Sequence, residues 1–336
     1  MKISEYSGGI KIILDGLKFL IDPIEKFERI DSILISHAHF DHSRMLSYKL
    51  RTKAYLTPET LAIAKVRMKN IRTKVSPKGY GEKFEIYGKK FQFLPSGHVF
   101  GSSQILIENE GRIVYTGDFK LRDSLTHEGC KPLNCDVLIM DSIYGSPEYV
   151  FPDINEIAEE ITGWVNNTLK DGFIPILTGN TFGQGQELTK MLSERFDVEV
   201  HPVVGKINRI CEEFGVKLGS YEVSLEPSQG SVFIAPKWFL PYVNLNKCKI
   251  AFCSGRYLNG KHGGHKAFPL SNHADFNERI EYIKKVKPRL VITCHGELYV
   301  KFAEWIEQNL GIMAKPIIKE QKIKEQKTIL DFVGIS

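Results

Sequence analysis

The densest group of chemically reactive side chains is a run of three histidines and one aspartate within six residues. The run reads His37-Ala38-His39-Phe40-Asp41-His42, and it closely follows the apolar residues Ile33-Leu34-Ile35. An apolar run of this kind predicts a buried strand that ends where the polar residues begin. Because neutral imidazole and carboxylate are good zinc ligands, an H-x-H-x-D-H pattern predicts a metal site before any other function.

Other histidines and aspartates take a similar position, at the end of a predicted strand or the start of a predicted helix. Six of the ten histidines do so, namely His37, His39, His42, His98, His273 and His295. The aspartates in comparable positions are Asp41, Asp118 and Asp141. One such histidine is more often a hydrogen-bonded structural residue, but six with the same placement indicate a site at one edge of a sheet.

The spacing suggests two ions rather than one. A two-metal site needs ligands at roughly 2.0–2.2 Å from ions that lie about 3.5–4 Å apart. The first ligand set consists of histidines, namely His37, His39 and His98. The second set is mixed, namely Asp41, His42 and His295. Asp118 has two carboxylate oxygens and can bridge the ions, so we expect two Zn²⁺, with Mn²⁺ as an alternative.

These side chains must be positioned by a β-rich first part of the chain. A type I′ turn at Asp15-Gly16 predicts a hairpin over 10–21, and Thr57 with Pro58 predicts a capped helix that runs to about residue 68. The remaining predicted strands cover 32–36, 54–56, 84–87, 91–94, 104–107, 112–116 and 137–140. Several of them run into the polar residues named above.

The pattern changes beyond residue 151. A helix is expected over 153–170, and a strand over 174–178 leads into the glycine-rich segment 179–187 and another helix. Further βα units over 198–253 suggest a small parallel α/β domain inserted into the first. The glycine-rich segment 255–266 is interpreted as a flexible return connection.

Composition bounds the class of protein. The 336 residues are 42% hydrophobic, enough for a sizeable core, and no apolar run approaches the ~18 residues of a membrane span. The first residues do not resemble a signal peptide, so we expect a soluble cytoplasmic protein with no membrane partner. The six cysteines form no C-x-x-C pair and are expected to be free buried thiols.

The charge of the chain favours an anionic partner without establishing one. The formal net charge is +5, and the segment 65–90 is rich in lysine and arginine. That segment is either a solvated surface or a rim that contacts phosphates, and the sequence leaves both open.

The motifs at His37–His42, Gly97-His98 and Gly117-Asp118 resemble those of the metallo-β-lactamase fold. That fold is a four-layer αββα sandwich with its metals at one edge. Asp22, in Ile21-Asp22-Pro23, matches the first motif of the fold, an aspartate that supports the metal ligands from behind.

Three further motifs resemble the β-CASP branch, whose members process nucleic acids. They are Asp141-Ser142-Ile143-Tyr144-Gly145, Ser271-Asn272-His273-Ala274-Asp275 and Cys294-His295-Gly296-Glu297. The resemblance implies an α+β chain in which an αββα sandwich carries an inserted α/β β-CASP domain. The implied boundaries are 1–152 for the first part of the sandwich, 153–262 for the insert and 263–336 for the second part.

The resemblance also implies residue roles. His273 would contact the scissile phosphate and could donate a proton to the leaving oxygen, and Asp141 would orient His273. With Asp41 and Asp118, these residues form the implied catalytic set. The sequence departs from the family pattern at Asp141, which is one methylene shorter than the usual glutamate, and at Ile143, which replaces threonine.

The implied function is a zinc-dependent nuclease that acts on single-stranded RNA or DNA, similar to archaeal mRNA 3′-end processing nucleases and to ligase-associated exonucleases. His295 favours RNA, because strictly DNA-processing members carry valine there. The alternative is a ligase-associated DNA exonuclease in repair. Less favoured are a glyoxalase II-like thioester hydrolase, which would lack the insert and His273, and a non-catalytic nucleic-acid-binding subunit. A homodimer is left open.

Overall fold

The first sheet supplies one half of a sandwich. The computed structural model describes residues 1–258 and 260–320. Residues 321–336, the end of the predicted second part of the sandwich, lie outside the described residues. The strands of the sheet, in order, are β1 (Lys2–Tyr6), β2 (Gly9–Leu14), β3 (Leu17–Ile21), β4 (Ser32–Leu34), β5 (Ala54–Leu56) and β6 (Val75–Pro77). The predicted hairpin is β2–β3, and its turn residues Asp15 and Gly16 have φ of 49° and 84°, as a type I′ turn requires. Helix α1 (Phe40–Ser43) follows β4, and α2 (Pro58–Arg67) follows β5.

An antiparallel meander begins the second sheet. Its strands are β7 (Lys83–Ile86), β8 (Lys89–Pro95), β9 (Ser103–Glu108) and β10 (Arg112–Tyr115), and β11 (Val137–Asp141) then adds parallel to β10. β11 is buried along its whole length. It ends at Asp141, at the same edge of the sheet where β10 runs into Asp118.

The next part of the chain builds a third sheet with helices. In chain order its elements are α3 (Ile154–Lys170), β12 (Ile174–Gly179), α4 (Gln184–Leu192), β13 (Val198–Val200), α5 (Pro202–Glu213), β14 (Glu222–Val223), β15 (Val232–Pro236), β16 (Cys248–Cys253), β17 (Lys261–His262) and β18 (His265–Phe268). The strands lie in the order β14-β13-β15-β12-β16-β18-β17, and all neighbours except β17–β18 are parallel. We propose that the insert extends to Phe268, because β18 pairs with β16.

The end of the chain returns to the second sheet. It forms α6 (Phe276–Val286), β19 (Leu290–Cys294), α7 (Tyr299–Leu310) and β20 (Ala314–Pro316). The completed sheet has the order β20-β19-β11-β10-β9-β8-β7. Because β19 pairs in parallel with β11, Cys294 lies opposite Asp141 and the following residue, His295, is brought to the same edge.

The layers form the αββα sandwich that the family resemblance implied. The facing sides of the first two sheets share one core, which includes Ile12, Phe19, Phe91 and Ile139. Helix α2 packs on the outer side of the first sheet, and α6 and α7 pack on the outer side of the second. Separate cores on the two faces of the third sheet complete the inserted α/β unit.

One local prediction was wrong. The segment 255–266 was expected to be a flexible connection, but its last part forms the β17–β18 hairpin, in which Lys261 pairs with Lys266 and His262 with His265. Gly263 and Gly264 both have positive φ and close the turn. The segment carries little apolar alternation, so the hairpin depends on β16 as a template rather than on its own pattern.

All six cysteines, which lie in the described part of the chain, are free, as predicted, although Cys135 and Cys248 are only half-buried. Among the described residues, we find no helix with the length and apolar character needed to span a bilayer.

Gly97, which precedes the predicted ligand His98, should be intolerant of any side chain. Its φ is +71°, and a Cβ atom there would lie 2.3 Å from the Lys120 carbonyl oxygen. We expect Gly97→Ala to lower the free energy of unfolding by roughly 2–4 kcal/mol, from backbone strain and overpacking together. Gly172→Ala is the matched control, because Gly172 has φ +77° with nothing within 4 Å of the added carbon, so strain alone costs about 1 kcal/mol. Urea denaturation compares them, and equal losses would contradict the packing argument.

Candidate metal centre and active site

The buried carboxylate of Asp22, just after β3, organises the start of the site. It accepts hydrogen bonds from the backbone N–H of Ser36 at 2.7 Å and from the Ser36 hydroxyl at 2.5 Å. The Nδ1 atom of His42 lies 3.0 Å from the same carboxylate, and the Tyr115 hydroxyl lies 3.3 Å away. Asp22 therefore ties the ends of β3 and β4 together and turns the Nε2 atom of His42 towards the cleft.

Four buried side chains aim one donor atom each at a common point. They are His37, His39, His98 and Asp118, and their donor atoms all lie within 4.8 Å of one another. The Nδ1 atom of His39 is 3.0 Å from Nε2 of His37 and 3.1 Å from Nε2 of His98. Oδ2 of Asp118 is 3.7 Å from Nε2 of His37 and 3.6 Å from Nε2 of His98. Tetrahedral ligands of one zinc ion lie roughly 3.3–3.4 Å apart, so this set fits such an ion.

Each histidine of this set has an outer partner that orients its ring. Nδ1 of His37 is 3.0 Å from the Ser36 hydroxyl, which itself donates to Asp22. Nδ1 of His98 is 3.0 Å from the carbonyl of Asn272, and Nε2 of His39 is 3.0 Å from the carbonyl of Phe182 in the insert. An N–H donated outwards leaves the other ring nitrogen free to bind a cation, which is the usual arrangement behind metal-bound histidine.

The electrostatics of the cluster also suit a cation. Burial lowers the pKa of His37 and His98 well below the usual range and that of His39 to about 3, so these rings are neutral at pH 7. Burial raises the pKa of Asp118, whose Oδ1 atom has no hydrogen-bond partner among the described residues. His42 is also buried, but the nearby carboxylates of Asp118 and Asp22 raise its pKa. A bound cation would compensate the Asp118 charge, which burial otherwise disfavours.

The second predicted ligand set is more open. Nε2 of His42 lies 3.6 Å from Oδ2 of Asp118 and 3.9 Å from Oδ2 of Asp41, whose side chain is 77% exposed at the start of α1. The His295 ring lies 5.6 Å from the His42 ring, and its Nε2 atom is 2.9 Å from the Tyr115 hydroxyl. The structure brings all the predicted ligands to one edge of the sandwich, but only the first set is closed around one point.

His273 lies beside the first donor set, as the motifs suggested. Its ring is 4.3 Å from that of His98, and its Nδ1 atom is 3.9 Å from Oδ2 of Asp118. That atom is buried and has no hydrogen-bond partner in the described chain. Burial, followed by the neighbouring His98, lowers the pKa of His273 well below the usual range, so its imidazole is neutral. A neutral imidazole with one unused nitrogen is suited to contact a phosphate or to move a proton.

Asp141 does not form the direct hydrogen bond to His273 that its predicted role suggests. Oδ2 of Asp141 lies 4.0 Å from Nδ1 of His273 and instead accepts from Nη2 of Arg279 at 2.7 Å. Its Oδ1 atom accepts from the backbone N–H of Ile143 at 3.0 Å. The shorter aspartate is thus held by the arginine, so any influence of Asp141 on His273 is electrostatic or passes through Arg279.

Arg279 is the principal side chain that the sequence reasoning missed. It lies on α6 with 0% of its surface exposed. Besides Asp141, it donates to the carbonyls of Ala274 and Asp275, which directly follow His273. One guanidinium therefore connects the end of β11 with the loop that carries His273. The sequence held little signal for it, because a basic residue on an amphipathic helix normally faces solvent.

Two other groups at the site were also missed from the sequence, namely the Phe182 carbonyl and the Tyr115 hydroxyl. The Phe182 carbonyl that meets His39 is a backbone group, so no residue type marks it. Tyr115 was detectable in principle, because it is the last residue of β10 and carries a polar tip beside Asp22 and His295.

A cleft of about 490 Å³ opens between the metal centre and the insert. The sandwich contributes His39, Asp118 and His273 to its lining. The insert contributes residues that follow its parallel strands, namely Asn180, Lys237, Ser254 and Arg256. Ligands of open parallel sheets bind at the carboxyl ends of the strands, and here those ends face the predicted metal ligands.

Comparison with protein families identifies two matching regions. A family described as "Beta-lactamase superfamily domain" matches residues 14–169. A second family, "Zn-dependent metallo-hydrolase RNA specificity domain", matches residues 265–317, a range that contains His273 and His295.

Individual relatives agree with these matches. A probable DNA ligase of Opitutus terrae is 30% identical over 302 residues, which are 86% of this chain but 29% of that protein. An RNase J-like protein of Methanocaldococcus jannaschii is 26% identical, with 84% of this chain and 86% of that protein covered. The fold is shared with a protein of unknown function from Enterococcus faecalis, at a TM-score of 0.65, 14% identity and coverage of 95% and 96%. The chain belongs to the β-CASP branch of the metallo-β-lactamase superfamily, a group of metal-dependent hydrolases.

Removing the charge of Asp22 should weaken metal binding without touching a ligand. An asparagine cannot satisfy the donors of Ser36 and His42 together, so we expect Asp22→Asn to lower zinc affinity about 10–100-fold. Competition with a chromophoric chelator measures the affinity. Asp31→Asn is the control, because Asp31 is an exposed acceptor for the Lys18 N–H in the same sheet. Unchanged zinc affinity in Asp22→Asn would show that this carboxylate does not support the centre.

Replacing only one partner of the buried Asp141–Arg279 ion pair should destabilise the fold. Arg279→Gln leaves a buried carboxylate uncompensated, and we expect a loss of about 3–5 kcal/mol in the free energy of unfolding. The double variant Asp141→Asn with Arg279→Gln should lose less than the two single variants together. Glu194→Ala, which breaks the exposed pair Lys190–Glu194, should cost under about 1 kcal/mol. Additive losses in guanidinium denaturation would contradict the coupling.

Proposed function

We propose that this chain is a two-zinc phosphodiesterase that hydrolyses single-stranded nucleic acid, with RNA favoured over DNA. One observation carries the proposal: a closed buried donor set lies in a cleft beside His273. Among residues 1–258 and 260–320, Oδ1 of Asp118 and Nδ1 of His273 have no hydrogen-bond partner. Manganese is an alternative to zinc, and the openness of the second ligand set makes the second ion the more exchangeable of the two.

The proposed roles follow from the positions of the side chains. His37, His39, His98 and Asp118 would hold one ion, and Asp41, His42 and His295, with Asp118 shared, would hold the second. When bound, the ions would supply Lewis acidity towards the phosphate oxygens. His273 is placed to contact the phosphate, whose negative charge would favour a protonated ring that can then donate to the leaving oxygen. Arg279 with Asp141 keeps its loop in place.

The cleft favours a single strand as substrate. Its cationic residues Arg67, Lys237 and Arg256 can meet a phosphate backbone, and its aromatic residues Phe40 and Tyr257 can meet unstacked bases. RNA is favoured because the matched RNA specificity domain covers His273 and His295, and because one relative is named RNase J-like.

A second candidate is a DNA exonuclease that works beside a ligase. The similarity to the probable DNA ligase of Opitutus terrae, over 302 residues, favours it. The same catalytic residues would serve both candidates, so only the substrate separates them.

The decisive experiment uses end-labelled RNA and DNA strands of matched sequence, each with a 5′-phosphate or a 5′-hydroxyl. We expect zinc-dependent cleavage with faster turnover of RNA, and a product ladder that reveals endonucleolytic cutting or the direction of degradation. Faster turnover of DNA would select the second candidate. Removal of metal by a chelator should abolish cleavage. If the purified protein contained no zinc and bound none on addition, the two-metal proposal would be refuted.

Two variants test the assigned residues. His39→Ala should reduce cleavage at least about 100-fold in metal-defined buffer, because it removes a ligand of the closed set. His273→Ala should slow single-turnover cleavage about 10²–10⁴-fold with little change in strand affinity. A variant of His273 that loses affinity but keeps the single-turnover rate would exclude its role as proton donor. His265→Ala is the matched histidine control, because His265 is exposed at the start of β18.

A further inference from the structure

A long stretch of the insert carries basic residues without a single acidic one. Between Glu226 and Asp275 the sequence contains no aspartate or glutamate. The cationic residues in this stretch are Lys237, Lys247, Lys249, Arg256, Lys261 and Lys266. Charge runs are often only solvated surface, so the stretch needs structural support before it indicates a partner.

That support comes from large aromatic side chains at the surface. The 3₁₀ turn Lys237–Tyr242 presents Trp238 with 60% and Tyr242 with 77% of its surface exposed. Phe239 lies between them in a chain of ring contacts, 6.1 Å from Trp238 and 6.2 Å from Tyr242 between centroids. The ring of His201 meets the ring of Trp238 edge-on, with their centroids 5.3 Å apart. The centroid of the His201 ring lies 4.4 Å from that of Phe239. We call His201, Trp238, Phe239 and Tyr242 the aromatic shelf.

The aromatic shelf is continuous with the cleft. Lys237, the first residue of the turn, lines the cleft, and its Nζ atom lies 5.3 Å from the centre of the Phe252 ring. The shelf residue His201 follows β13, and Lys237 follows β15, which is the strand next to β13. The surface therefore runs along the carboxyl edge of the parallel sheet, from the mouth of the cleft outwards.

We infer that the aromatic shelf is a docking surface for the part of a single-stranded nucleic acid that lies outside the cleft. Bases would stack on Trp238 and Tyr242, and Lys237, which begins the same turn, would meet a phosphate. Exposed aromatic rings beside a lysine, in a part of the sequence without acidic residues, match the chemistry of an unpaired strand better than that of a protein surface. This inference rests on the proposed function, because it takes the substrate to be a single strand.

Binding and cleavage are measured separately in the full chain. The variant Trp238→Ala with Tyr242→Ala should bind a strand of about twenty nucleotides roughly 10–100-fold more weakly than the unaltered chain. Its salt dependence of binding should be unchanged, because no charge is removed. Cleavage of a strand of about four nucleotides, which only the cleft can hold, should keep its kcat/KM. Tyr87→Asn is the control, because Tyr87 is an exposed aromatic residue on a β-hairpin of the sandwich.

Tryptophan fluorescence gives a readout that a purely structural role would not change. Trp238 is exposed whereas Trp164 and Trp305 are half-buried, so a long strand should quench the emission of the unaltered chain and of Tyr242→Ala but not of Trp238→Phe. Wild-type affinity and quenching in the double variant would overturn the inference. The inference would also be overturned if the unaltered chain sedimented as a dimer, the double variant sedimented as a monomer, and both bound the strand equally well. The shelf would then be a contact between two copies of the chain. Absence of cleavage with quenching retained would instead refute the proposed nuclease.

Discussion

A buried carboxylate needs hydrogen-bond donors around it. The donors that surround Asp22 also position the other residues of the site. The residue has a positive φ of 51°, which turns its side chain back across the end of β4. Its two oxygens take the Ser36 backbone N–H, the Ser36 hydroxyl and the His42 ring. Through Ser36 the same carboxylate reaches His37. A backbone turn and two predicted ligands are thus aligned by one group that cannot be left unsatisfied.

Much of the architecture was accessible from the sequence because strands that repeatedly end in histidine or aspartate are typical of a metal site at the edge of a sheet. Apolar runs bounded by turn residues predicted the sandwich strands. The pairing of β19 with β11 explains how His295 reaches an edge formed by residues more than a hundred positions earlier. The motifs could not reveal that Asp141 would be paired with Arg279, because the partner lies 138 residues away on a helix. A hydrogen bond from His39 to a backbone carbonyl has no residue signature at all.

The second ligand set shows a different limit of sequence reasoning. Spacing suggests which side chains can meet, but not how tightly they meet. Asp41 is the second residue of the four-residue helix α1 and stays exposed, whereas His37 follows a buried strand and is fully enclosed. The difference in burial between these positions, which spacing in the sequence does not reveal, separates the closed set from the open one.

The insert does more than form one wall of the cleft. The Phe182 carbonyl accepts a hydrogen bond from the His39 ring. Glu187 of α4 accepts a hydrogen bond from the side chain of Asn272, and the backbone carbonyl of Asn272 contacts Nδ1 of His98. Two ligands of the closed set therefore depend on where the insert sits. Linkage is reciprocal, so an ion that binds these rings more tightly when the insert is docked also favours the docked arrangement by the same free energy. An ion with that preference would therefore also hold the insert in place as one wall of the cleft.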